Sequence, residues 1–221
     1  MMRIINSVVR PGKTFLIYWL MSLIVLSYFA CTHHRGELEL NWNQQHTVFA
    51  DYFFSYITWL GSGWSFAIFV FAMLFVDRRK FFVSLASSLL VLITVTLFKQ
   101  YFYPGEPRPL SFFNDSVLVH IPDGEEKLFY GSFPSGHTMS AFSMLFLASV
   151  FFSNRYMQLF LFMLAIITGL SRIYLMVHFI EDVLLGETLG VLLTILVLVI
   201  AEIYFPSEKI NRPLIRIRKN E

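Results

Sequence analysis

A single cysteine, Cys31, in 221 residues leaves no partner for an internal disulfide. Its surroundings, Tyr28-Phe29-Ala30-Cys31, lack the small aliphatic pattern of a lipoprotein cleavage site, so Cys31 reads as a packing residue. Charge is scarce as well: Asp, Glu, Lys and Arg make up 14% of the chain, with a formal net charge of +2. That balance implies no acidic partner and no nucleic acid. Internal repeats, low-complexity tracts and linkers are missing, which predicts one domain over residues 1–221. What fills the chain instead is apolar: 56% of residues are hydrophobic, far from the soluble average. Such a chain belongs in a membrane.

Six apolar runs have about the 17–25 residues that carry a helix across a hydrocarbon core. They are Thr14 to Cys31, Ile57 to Val76, Phe81 to Phe98, His137 to Phe152, Met157 to Tyr174 and Phe179 to Tyr204. The fold class expected is therefore all-α, a polytopic membrane protein with about six transmembrane helices. The first run is too long for a signal-peptide core and has no clear small-residue cleavage site, so it counts as a span. Alternate loops hold Arg3, Arg10 and Lys13, then Arg78, Arg79 and Lys80, then Arg155, then Lys209, Arg212, Arg216, Arg218 and Lys219. By the positive-inside rule these mark the cytoplasmic side and put both termini there. The basic tail is expected to be a topology anchor near anionic lipid.

This topology carries all six histidines, His33, His34, His46, His120, His137 and His178, to the outer face or boundary. The first four read as solvated loop residues. The His33-His34 pair makes a weak metal site without a nearby Cys or carboxylate pattern. Tyr101, Phe102, Tyr103, Phe112, Phe113, Phe129, Tyr130 and Phe133 read as an aromatic belt at headgroup depth. Gly186 and Gly190, four apart, let a neighbouring helix approach closely within the same chain.

Three polar clusters interrupt the apolar pattern at that outer face. Lys99 ends the third run and Arg108-Pro109 follows; Ser135, Gly136 and His137 open the fourth; Ser171 and Arg172 close the fifth, with His178 and Asp182 opening the sixth. Ionisable groups are costly at a membrane boundary, so several at one depth point to function. Pro134-Ser-Gly taken alone is an ordinary turn. With three cations in its company it becomes a cradle for phosphate oxygens, which Lys99, Arg108 and Arg172 would neutralise. His178 and Asp182, at i and i+4, sit about 40° apart around a helix, so the carboxylate can hold one ring nitrogen and leave the other for substrate. Glu181, about 60° away on the other side, competes for that orienting role. Glu187 projects roughly opposite His178 and is left out of the site. His137 is then the second imidazole, an acid for the leaving oxygen and later a base for water. A zinc site of His137, His178 and Asp182 is the rival arrangement, opposed by the cations around it.

Pro134-Ser-Gly-His137, followed by Ser171-Arg172, five residues, His178, three residues and Asp182, resembles the second and third signature motifs of the type 2 phosphatidic-acid phosphatase superfamily. The resemblance covers about Lys99 to Asp182. It implies that His178 attacks phosphorus and forms a phosphohistidine, Asp182 holds its ring, and His137 protonates the leaving group. It further implies that Lys99, Arg108, Ser135, Gly136 and Arg172 bind the phosphate, and that no metal or other cofactor is needed. In the family's first motif six residues separate Lys from Arg-Pro, whereas eight lie between Lys99 and Arg108 here. The Pro104-Gly105 turn can absorb the extra two. The expectation is an integral-membrane hydrolase of a lipid phosphate or diphosphate at the non-cytoplasmic face of a bacterial inner membrane. Undecaprenyl diphosphate, phosphatidylglycerophosphate and lipid A phosphates are the candidates the family suggests. A phosphotransferase of the same superfamily and a non-enzymatic lipid or phosphate transporter are the alternatives.

Overall fold

A computed structural model describes residues 2–113, 118–152 and 154–205. The basic tail from Lys209 to Lys219 and the boundary residue Ser153 lie outside the described residues. Among the described residues ten α-helices follow one another: α1 (Met2–Val9), α2 (Lys13–Thr32), α3 (Glu37–Asn43), α4 (Val48–Ile57), α5 (Gly63–Met73), α6 (Arg78–Leu97), α7 (Pro109–Phe112), α8 (Gly136–Phe151), α9 (Arg155–Tyr174) and α10 (Ile180–Tyr204). Among the described residues no strand forms, and the β-type pairing is a lone antiparallel bridge between Pro107 and Tyr130. Helix starts are set by side chains that accept from orphan N–H groups. Thr47 does so for α4, Ser62 for α5, Asp77 for α6, Ser135 for α8 and Asn154 for α9.

The protein is an all-α, polytopic membrane protein. Ser7–Thr32, Arg78–Phe102, α9 and α10 are each long and apolar enough to cross a bilayer. The second predicted span is not one straight helix. It begins earlier than Ile57, and its halves, Val48–Gly61 and α5, meet at a bend of 50°. The fourth, α8, has 16 residues, about 24 Å of helix against a hydrocarbon core of about 30 Å. It is the bundle's axis: α5, α6, α9 and α10 all pack on it, and eleven of its residues are buried. Surrounded by protein, α8 has no need to match the bilayer's thickness.

Lipid is as apolar as leucine, so close packing rather than the hydrophobic effect holds such helices together. Gly186 and Gly190 serve that purpose, as their spacing predicts. A Cβ at Gly186 would lie 2.8 Å from the Ser135 carbonyl oxygen, and one at Gly190 2.6 Å from that of Met139. Phe15 of α2 packs against Phe142, Phe146 and Phe162 at centroid distances of 6.2, 5.3 and 5.5 Å. Ser143 and Thr194 hydrogen-bond at 2.7 Å between α8 and α10. Glu187 is fully buried and accepts from Ser22 of α2 at 3.0 Å, a helix-packing contact. Cys31 is not packed, contrary to expectation: at the end of α2 it is exposed.

Among the described residues, Arg10, Lys13 and Arg155 line one cavity, and Lys80 reaches the Phe151 carbonyl at the end of α8. Arg79 bridges to Glu202 at 2.6 Å and donates to the Phe205 carbonyl, tying the start of α6 to the end of α10. Gln158 of α9 accepts from the Thr14 N–H at 2.9 Å. At the opposite end, Tyr101, Phe102, Phe112, Phe129 and Tyr130 are exposed, as an aromatic belt requires.

Candidate active site

His178 and Asp182 meet where α9 turns into α10. The chain leaves α9 at Tyr174 and folds back so that the N–H groups of Val177 and His178 both donate to the Arg172 carbonyl. Two residues later α10 begins, and Asp182 caps it by accepting from the Phe179 N–H at 3.0 Å. The same oxygen, Oδ2, meets His178 Nδ1 at 3.1 Å and accepts from the Ser132 hydroxyl. A carboxylate oxygen engaged by a helix start, a hydroxyl and a ring nitrogen cannot swing, and neither can the imidazole it holds. Asp182, not Glu181, is therefore the ring's partner; the competition left open by helical periodicity is settled by the capping geometry. His178 is 1% exposed and Asp182 fully buried.

Three cations surround this pair. Burial, followed by the positive charges of Arg108, Lys99 and Arg172, holds the His178 imidazole well below its ordinary range. Lys99 sits in a π-helical turn, Phe98–Phe102, that extends α6; such turns recur at functional positions. Arg108 is 8% exposed and works as a clamp. Its Nε donates to the Tyr130 carbonyl at 2.8 Å, one terminal nitrogen to Val177 at 3.0 Å and the other to Gly131 at 3.1 Å. Each terminal nitrogen retains one further N–H for a ligand. Burial pulls the Arg108 guanidinium downward, and Asp182 opposes the shift.

Arg172 is 6% exposed and anchored by Thr58, which accepts from one terminal nitrogen at 2.5 Å, while its Nε has no protein partner. Ser135 begins α8 and bonds Asp182 through the main chain, its N–H donating to the Asp182 carbonyl at 3.0 Å. Its side chain accepts from the Thr138 hydroxyl at 2.8 Å and keeps its own proton for a ligand. Gly136 and His137 follow in the first turn of α8, which places their N–H groups at a helix start suited to anions.

Besides Ser132, which holds Asp182, three residues at this site escape a sequence reading. Thr58 lies in the break of the second span, 114 positions from Arg172. Gly61, in the same break, approaches so closely that a Cβ there would stand 2.5 Å from the His137 carbonyl oxygen. Glu39 of α3, 1% exposed, accepts from the Ile180 N–H at 2.7 Å and so shares the capping of α10 with Asp182. Burial pushes the Glu39 carboxyl upward. A Thr and a Gly inside an apolar run are the available signal for the break, and neither names its partner.

An all-helical membrane bundle that gathers two imidazoles and three cations at one end has the build of a membrane lipid phosphatase. The PAP2 superfamily sequence model matches residues 79–204, more than half the chain, and the chain belongs to the PAP2 superfamily. Among solved structures, LpxE from Aquifex aeolicus is similar at 30% identity and a TM-score of 0.63, covering 73% of this chain and 93% of its own. A transmembrane PAP2-type phosphatidylglycerolphosphate phosphatase from Bacillus subtilis shares the fold at 23% identity and a TM-score of 0.55, covering 87% of this chain and 96% of its own. No curated protein sequence gives a significant match.

Proposed function

We propose that the protein hydrolyses a lipid phosphate or diphosphate through a phosphohistidine formed on His178, at the non-cytoplasmic face of a bacterial inner membrane. The observation that carries this reading is the Asp182-held His178 with Lys99, Arg108 and Arg172 around it. Asp182 occupies Nδ1, so Nε2 is the nitrogen left to attack phosphorus. The bond from phosphorus to the lipid-side oxygen breaks as the bond to Nε2 forms, and His137 delivers a proton to the departing oxygen. Water, deprotonated by His137, then attacks the phosphohistidine, releases inorganic phosphate and restores both histidines. The cations, with Ser135 and the Gly136 N–H, offset the charge on the equatorial oxygens. This chemistry requires no metal.

The basic end formed around Arg79, Lys80 and Arg155 supports placing both termini in the cytoplasm and the phosphate pocket on the other side. The whole chain, residues 1–221, is read as one phosphatase domain, with Lys99 to Asp182 as its motif-bearing core. Undecaprenyl diphosphate, phosphatidylglycerophosphate and lipid A phosphates remain the substrates to try first.

The test is phosphate release from those lipids by detergent-solubilised protein in the presence of chelator, with wild type, His178→Ala and His137→Ala compared. Release that survives chelation and vanishes in His178→Ala is expected. Undiminished release by a folded His178→Ala variant would remove the phosphohistidine. Absence of release by folded wild type would redirect the reading to phosphotransfer between lipids.

A further inference from the structure

At the same end of the bundle, apart from the phosphate pocket, a second cluster of ionisable groups departs from the solvated-loop expectation for His46 and His120. His46 precedes Thr47, the cap of α4; Asp51 lies in the first turn of α4; His120 comes from the Leu118–Ile121 segment. Asp51 Oδ2 stands 3.0 Å from His120 Nε2, and the two imidazoles stack with centroids 3.5 Å apart and planes 9° from parallel. One donor atom from each of the three lies within 4.8 Å of the others.

We propose that His46, Asp51 and His120 form a binding site for a zinc-class divalent cation, separate from the phosphate pocket. Two imidazoles and one carboxylate suit zinc and its first-row neighbours. Ligand atoms at about 2.0–2.1 Å from a tetrahedral zinc ion stand about 3.3 Å apart, close to the present separation of Asp51 and His120. Those two are held from behind, as ligands need to be. Tyr174 donates to Asp51 Oδ1 at 2.5 Å, which leaves Oδ2 for the ion. The buried Asn43 side chain grips the His120 main chain twice, donating to its carbonyl at 2.7 Å and accepting from its N–H at 2.8 Å.

His46 is the adjustable member. Parallel rings direct their in-plane lone pairs side by side, so ligation turns the exposed His46 ring out of the stack while Asp51 and His120 stay in place. Lys127 lines the adjoining cavity but is exposed, so solvent screens its charge. A bound ion would fasten the start of α4 to the Leu118–Ile121 segment. Through Tyr174 it would also brace the end of α9 that carries Arg172. Its role is structural, a tie across the rim instead of a participant in phosphoryl transfer.

The test uses full-length, metal-stripped protein without a polyhistidine tag, titrated with Co2+ and followed by visible d–d absorption. Wild type should bind one equivalent saturably, with Zn2+ displacing it. His46→Ala and Asp51→Asn should each weaken binding by at least about tenfold, while the double variant His33→Ala/His34→Ala should bind as wild type. Added Zn2+ should raise Tm of the wild type and not of His46→Ala, whose exposed side chain is dispensable for folding. Absence of saturable Co2+ binding overturns the proposal, as does binding lost only in the His33/His34 variant. The readout is absorption, so its outcome is independent of whether the phosphate pocket hydrolyses any lipid.

Discussion

Thr58→Val tests whether the broken second span serves the phosphate site. The substitution keeps the side chain's shape and removes the oxygen that accepts from Arg172 at 2.5 Å, at a position where both residues are buried. A hydrogen bond to a charged group contributes about 1.5–3 kcal/mol, and a buried donor left alone costs a similar amount. If that interaction aims Arg172 at the transition state, its loss lowers kcat/KM by roughly ten- to a hundredfold, since about 1.4 kcal/mol is a factor of ten. The assay is phosphate release from a lipid phosphate in detergent, with Tm recorded alongside. Thr58→Ser keeps the hydroxyl and should hold most of the activity, which separates positioning from general destabilisation. Wild-type kinetics in a folded Thr58→Val variant would refute the reasoning.

Other perturbations probe the same framework. Gly61→Ala pushes a methyl group into the His137 backbone, where a Cβ would sit 2.5 Å from the carbonyl oxygen; the crowding should cost about 1–3 kcal/mol and show as a lower Tm with weakened phosphate release. Glu39→Ala removes an acceptor from the buried start of α10 and should destabilise by about 1–3 kcal/mol in thermal unfolding, whereas Glu39→Gln keeps a carbonyl for the Ile180 N–H and should lose less. Because the imidazole of His178 is held below its ordinary range in the folded protein, an NMR titration should find it neutral at pH 6.5. The unfolded chain then binds the extra proton, so this residue's contribution to stability is complete above about pH 6.5 and shrinks as pH falls towards its folded value. Titration of His178 at or above pH 6.5 in the free protein would contradict this.

Much of the site is legible along the chain because its parts are local. His178 and Asp182 are one helical turn apart, so their meeting needs only that α10 form. Ser135, Gly136 and His137 are consecutive. The run of apolar segments likewise follows from length and composition, as the long helices agree. Periodicity could not choose between Asp182 and Glu181; capping of α10, which places Asp182 Oδ2 on the Phe179 N–H, made the choice. Nor could apolar length reveal that the second span bends by 50°, or that α8 needs no full membrane thickness because protein surrounds it.

By itself, then, the sequence determined the membrane setting, the helical class, and the side chains that come together within one turn or one motif, because those depend on hydropathy and on 3.6-residue periodicity. Tertiary structure alone decided the contacts made across the bundle. Thr58 with Arg172, Ser132 with Asp182, Glu39 with Ile180, and Asp51 with both His120 and Tyr174 are separated by 50 to 141 positions. Nothing in residue spacing relates such partners. Buried polar groups must find partners, and which partner is within reach depends on how the helices and the loops at their ends pack.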